Sequence, residues 1–178
     1  MSSNIKINFV CNNAIIGIAK GNIDALSDIY DQMGKQIYFV AYSILNDHHD
    51  AEDVLQKVLY EIVINAHTYK PMSNARAWIL SIARNQALKY LRDKKNFLPL
   101  DDIENESEYS YDMSFTENLT MFDALNSLSE EDRQIVLLHI ESGLKFREIS
   151  ELMNISNSSA QKRYQRAIKK LKAYYQNE

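Results

Sequence analysis

An all-α fold is what this sequence predicts, and three observations carry that prediction. Only 4 Gly and 2 Pro occur in 178 residues, too few for the turns that sandwiches, barrels and α/β folds consume. Hydrophobic residues make up 46% and charged residues 25%, a globular balance that argues against wholesale disorder. Apolar positions then recur at the 3.6-residue spacing of amphipathic helices along most of the chain. The single cysteine, Cys11, leaves no intramolecular disulfide and no thiolate metal cage, which fits a reducing compartment.

The N-terminal stretch is apolar but broken by Asn8, Asn12 and Asn13, which makes it a poor signal peptide. No run of eighteen apolar residues occurs, so a cytoplasmic protein with no membrane insertion is expected. From Ile23 to Leu45 a helix is marked by Leu26, Ile29, Tyr30, Met33, Ile37, Val40, Ala41 and Ile44. Asn46-Asp47-His48-His49 interrupts it with turn-forming residues. A second helix is predicted from Asp50 to His67, its apolar side carrying Val54, Leu55, Val58, Leu59 and Ile62. Pro71 places a loop at Lys70–Asn74, and a third helix follows from Asn74 to Lys95 along Trp78, Ile79, Ile82, Ala83 and Leu88. These three are long enough to pack as one bundle.

Residues 96–115 lack periodicity and read as a linker. Ser129-Glu130-Glu131-Asp132 is a capped helix start, with acids in the first turn. The helix it opens carries the apolar run Ile135–Ile140, interrupted by His139, which reads as a packed helix residue rather than a metal ligand. Gly143 ends it. A short helix at Phe146–Met153 and a longer one at Asn157–Tyr174, capped by Ser156, complete the chain.

Charge is sharply segregated. The formal net charge is −4, yet residues 1–100 carry 11 basic against 9 acidic residues, and residues 101–132 carry 11 acidic and no basic residue. Residues 133–178 return to 9 basic against 4 acidic. Two cationic modules thus flank an acidic spacer, and a local field can attract nucleic acid whatever the total.

The strongest functional signal is Phe146-Arg147-Glu148-Ile149-Ser150-Glu151-Leu152-Met153-Asn154-Ile155-Ser156 followed by a basic helix. Short helix, tight turn and second helix form a helix-turn-helix, whose second helix enters the major groove. At about 100° per residue, Ala160, Tyr164, Ala167, Ile168 and Leu171 fall on one side of that helix. Lys162, Gln165, Arg166 and Lys169 fall opposite, flanked by Ser159, Arg163 and Lys170. One side suits a core; the other suits phosphates and base edges. The helix bearing Arg76, Arg84, Asn85 and Arg92 is a weaker signal of the same kind. Asp50, Glu52 and Asp53 at a helix start are, by themselves, only dipole-compensating residues.

In combination these segments resemble the extracytoplasmic-function group of bacterial RNA polymerase sigma factors, in the sigma-70 family. The matching pieces are Gly21-Asn22-Ile23-Asp24-Ala25-Leu26, Asp50-Ala51-Glu52-Asp53-Val54-Leu55-Gln56, Trp78-Ile79-Leu80-Ser81-Ile82-Ala83-Arg84-Asn85 and the C-terminal helix-turn-helix. The resemblance implies a sigma region 2 bundle at residues 1–95, an acidic flexible linker at 96–119 and a sigma region 4 helix-turn-helix domain at 120–178. It implies a transcription initiation factor that binds core RNA polymerase, through the β′ clamp helices and the β flap, and directs it to promoter DNA. Asp50, Glu52, Asp53 and Gln56 match the polymerase-docking segment. The loop around His67–Asn74, with Arg76, Arg84, Asn85 and Arg92, matches the part that melts and reads the minus-ten element. Ser159, Gln161, Lys162, Arg163, Gln165, Arg166 and Lys169 match the helix that reads the minus-thirty-five element. An anti-sigma factor is a further implied partner.

Four positions depart from the common pattern. Leu59 and Val63 stand where many members carry aromatic residues, Lys89 replaces a common acid, and Gln161 replaces a frequent base. An operator-binding regulator would explain residues 133–175 but not the other motifs. Catalysis is not expected: no Gly-rich phosphate loop, nucleophile elbow or Glu-x-x-His pair occurs, and no cofactor is implied.

Overall fold

The computed structural model describes residues 3–97 and 119–176, and the acidic linker expected at 96–119 falls, from 98 to 118, outside them. Among the described residues all regular structure is helical, in two compact units divided after Arg92.

The first unit opens with α1, Ser3–Ala19, which the sequence reading did not assign. Its apolar residues face both ways: Cys11, Ala14, Ile15 and Ile18 are buried while Ile5 and Phe9 are exposed, so no single stripe marks it. A 3₁₀ turn at Ile23–Ala25 leads into α2, Leu26–Leu45. Ile29, Met33, Ile37, Val40, Ala41 and Ile44 of α2 are buried, the stripe expected from their spacing. Asn46 closes α2 in the left-handed conformation (φ 54°), which asparagine tolerates better than most residues. Asp47 then caps α3, His48–Asn65, its carboxylate accepting from the Asp50 amide at 2.9 Å. The α3 helix begins two residues before the position read from sequence and ends before a separate 3₁₀ turn at Ala66–Thr68. Its buried residues are Ala51, Val54, Val58 and Ile62, and α3 packs on α2. The last helix of the unit, α4, spans Ala75–Phe97, with Asn74 accepting from the Ala77 amide at 3.0 Å and Ile79, Leu80, Ala83 and Ala87 buried.

Cys11 is fully buried in this core. Burial, reinforced by the charge of Asp28, pushes its thiol up to about 11.

The second unit holds α5 at Leu119–Asn126, α6 at Glu130–Ile140, α7 at Phe146–Met153 and α8 at Asn157–Gln176. Ser129 and Ser156 are the caps the sequence predicts: their hydroxyls accept from the amides of Asp132 at 3.4 Å and Ser159 at 3.1 Å. Ile135, Val136, Leu137 and Leu138 are all buried, because α6 is covered on more than one side. Gly143 turns the chain at a φ of 60°, and Leu144 returns to bond the Leu138 carbonyl at 3.0 Å. His139 is a packing residue: Nδ1 donates to the Leu144 carbonyl at 2.8 Å, and the ring stacks on Phe146 at 4.4 Å and meets the edge of Tyr164 at 4.8 Å. Between α7 and α8, Asn154 is left-handed (φ 55°), and both helices pack together as a helix-turn-helix.

Candidate nucleic-acid interface

The acidic end of α3 is anchored at one residue and open at the others. Tyr90 of α4 donates its hydroxyl to Asp50 Oδ1 at 2.8 Å, and the Lys57 ammonium lies 4.4 Å above the Tyr90 ring. That bond to Asp50, with partial burial, pushes the Tyr90 hydroxyl up to about 12, so it stays a donor at neutral pH. Glu52, Asp53 and Gln56 are exposed on the same helix. Tyr60 and Ile64, 67% and 47% exposed, continue the surface at successive four-residue steps from Gln56. Neither was among the residues marked from sequence, although an aromatic one turn beyond Gln56 is the sequence feature that singles out Tyr60.

Behind that surface, His48 and Tyr38 bond across the α2–α3 turn. Burial raises the Tyr38 hydroxyl above its ordinary range. Burial lowers the His48 pKa against the opposing influence of Asp47 and Glu52.

The loop between α3 and α4 is shaped by side chains that the sequence marked only as breakers. Asn12 Oδ1 accepts from the Met72 amide at 2.8 Å and from the Tyr69 hydroxyl at 3.0 Å, while Asn8 Oδ1 accepts from the Arg76 amide at 3.2 Å. Met72 itself is 84% exposed with φ at 66°, an uncommon conformation for a bulky residue that the flanking bonds must sustain. Tyr69 packs against Trp78 with ring centroids 5.3 Å apart.

The structure divides the four α4 candidates. Asn85 and Arg92 are exposed, and Arg84 is half-buried with Nε lacking a hydrogen-bond partner among the described residues. Arg76 does not belong with them. It is only 2% exposed, and its Nε donates to Gln36 Oε1 at 3.2 Å, so the guanidinium is a strut between helices. A positive charge in the sequence reads as surface by default, and the half-buried Gln36 amide that receives this one was not visible there.

Along α8, Ser159, Lys162, Gln165, Arg166 and Lys169 line one open groove of about 630 Å³ together with Ser156 and Ser158. The two added serines sit at the N-terminal end of α8, with their hydroxyls 3.1 Å apart. Buried Ala160 and Ala167 hold the opposite side against the domain. Two expected members lie off the groove. Gln161 is exposed but outside its lining. Arg163 turns the other way and ion-pairs with Glu131 of α6, its Nη1 also 3.7 Å from Asp132 Oδ1. Two acids in the first turn of α6 stand within reach of it, which helical angle alone does not reveal.

Among the described residues no group of three or more His, Cys, Asp or Glu side chains is placed to hold a metal ion, and no helix is long and apolar enough to cross a membrane.

Comparisons with known proteins match both units. The family model described as Sigma-70 region 2 matches residues 29–97, and that described as Sigma-70, region 4 matches residues 120–171. The ECF RNA polymerase sigma factor SigM of Bacillus subtilis (strain 168) is 27% identical over 157 residues, covering 84% of this chain and 94% of that protein. SigW of the same organism, also an ECF RNA polymerase sigma factor, is 25% identical over 170 residues, covering 87% and 91%. Two solved structures share the fold. CnrH, in complex with the cytosolic domain of CnrY, has a TM-score of 0.71 at 19% identity, covering 95% of this chain and 99% of that one. RpoE of Bartonella quintana, in complex with the anti-sigma factor NepR, has a TM-score of 0.61 at 22% identity, covering 79% and 90%.

Proposed function

Because this chain belongs to the sigma-70 family, as an extracytoplasmic-function RNA polymerase sigma factor that directs transcription initiation at promoters, we propose a division of labour among its exposed surfaces. The outer side of α3, with Glu52, Asp53, Gln56 and Tyr60, docks on the clamp helices of the polymerase β′ subunit, and Asp50 is held in place there by Tyr90. The loop carrying Met72, with Arg84, Asn85 and Arg92 of α4, captures and reads the minus-ten element. The α8 groove reads the minus-thirty-five element in duplex form, and the second unit also meets the β flap.

The observation that carries this reading is the pair of opposed surfaces on α8: two alanines buried on one side, and a groove of serines, Gln165 and cations on the other. Cations there supply affinity and salt sensitivity, while Gln165 and Arg166 supply sequence choice. Opening of the duplex follows from capture of unstacked bases, with no chemistry by this chain. The acidic segment before α5 would occupy a basic polymerase channel. The anti-sigma factor in the RpoE complex supports a comparable regulator here, and such a factor works in the cytoplasm.

Purified core RNA polymerase, mixed with the chain and weighed intact by native mass spectrometry, tests the proposal. A one-to-one complex that survives moderate salt and initiates run-off transcription is expected. A chain that ignores polymerase and dimerises on duplex DNA overturns it.

A further inference from the structure

Arg163 lies in the middle of the helix proposed to read DNA, yet its guanidinium is committed elsewhere. It pairs with Glu131, which is 61% exposed, and faces Asp132, which is 9% exposed. Asp132 Oδ1 is buried and accepts no hydrogen bond among the described residues, so Arg163 is the nearby positive charge that offsets it. The apolar seat of α8 consists of the small buried Ala160 and Ala167 and the half-buried Tyr164, whose ring meets His139 and Phe146, and the Arg163 pairing adds a polar contact beside that seat. A roll of about 20° moves a group 6 Å from the helix axis by about 2 Å, beyond what a hydrogen bond tolerates.

We propose that Arg163 is a positioning residue: its pairing with Glu131 and Asp132 fixes the roll of α8, so that Lys162, Gln165 and Arg166 meet base edges, while Arg163 itself touches no DNA. The inference rests on the promoter-reading proposal and adds to it a latch between α6 and α8. It also separates two signs of effect. Removing Glu131 takes away a negative charge near DNA, which by electrostatics alone strengthens binding to any sequence. Loss of the latch instead weakens the preferred sequence selectively.

The experiment uses the full chain bound to bacterial core RNA polymerase. The probes are a duplex enriched from a random-sequence pool by the wild-type complex and a shuffled duplex of the same composition. Affinity for both is measured across a salt series for wild type, Glu131→Gln, Arg163→Gln and the double variant. Discrimination between the duplexes is expected to fall about tenfold in Arg163→Gln, which loses both pairings, by a smaller factor in Glu131→Gln, which keeps Asp132, and no further in the double variant than in Arg163→Gln. The salt slope is expected to stay at its wild-type value. Equal weakening on both duplexes in Arg163→Gln, with the slope reduced by about one, makes Arg163 a phosphate contact and overturns the inference. Unchanged discrimination in Glu131→Gln, an exposed substitution that leaves the fold intact, overturns it too. A wild-type complex that enriches no sequence overturns the promoter reading, and the inference with it.

Discussion

The side-chain oxygen of Asn12 accepts the backbone amide of Met72 at 2.8 Å, tying the first helix to a loop 60 residues further along the chain. The same oxygen takes the Tyr69 hydroxyl at 3.0 Å, and Asn12 is 4% exposed, so water cannot readily replace it.

Asn12→Ala therefore leaves the Met72 amide without its acceptor, while the Tyr69 hydroxyl keeps the Ser73 carbonyl at 3.1 Å, at a cost of about 0.5–1.5 kcal/mol. Thermal unfolding is expected to shift down, and hydrogen exchange at the Met72 amide to accelerate more than elsewhere in the unit. Unchanged exchange at Met72 would show that the loop holds its shape unaided.

Arg76 is expected to behave as a structural residue. Arg76→Ala removes the bond to Gln36 and the packed stem of a residue only 2% exposed, costing about 2–3 kcal/mol of stability. Affinity of the folded protein for minus-ten single strands, measured by fluorescence anisotropy below the melting range, is expected to stay at the wild-type value.

Tyr60 offers the opposite signature. With its ring 67% exposed, Tyr60→Ala leaves the melting temperature alone yet weakens core polymerase binding by at least about 1–2 kcal/mol, as truncated aromatic anchors do. Asp53→Ala with Gln56→Ala is expected to weaken the same binding. Competition binding against labelled wild-type chain reads both, and unaltered affinity in all three substitutions would move the docking surface off α3.

Arg166 lines the α8 groove. Arg166→Ala is expected to cost about 1–3 kcal/mol on duplex minus-thirty-five DNA and to relax preference at one base pair, with core polymerase affinity unchanged. Equal loss of both would contradict the separation of surfaces.

Acid is expected to loosen the α2–α3 turn. Burial lowers the His48 pKa below its ordinary 6.5, so the unfolded chain takes up a proton more readily than the folded one. The stabilisation is fully present above about pH 6.5 and is lost as pH falls through the folded value. Melting temperature of wild type is expected to decline faster between pH 7.5 and 5.5 than that of His48→Gln; parallel curves would remove His48 from the account.

The parts legible in the sequence are those where local chemistry acts alone. Ser129 and Ser156 cap the helices that begin beside them, and the buried stripe of α2 repeats at helical spacing because one side faces the bundle. What escaped was long-range. Asn8 and Asn12 break an apolar run on paper, but within α1 they point at a loop that arrives much later. Arg76 and Arg163 share the charge of Arg166, and what distinguishes them from it is burial beside Gln36 in one case and the pairing with Glu131 and Asp132 in the other. A single sequence states which charges exist; the fold decides which remain available to a partner.

Cys11 carries a consequence for signalling. The chain holds one sulfhydryl, and it is both sealed from solvent and biased towards the protonated form by burial. Peroxides and disulfide reagents react with accessible thiolates, so they find no cysteine nucleophile on the folded protein. An oxidative cue that reaches this transcription programme by thiol chemistry must therefore be sensed by another molecule and relayed through binding.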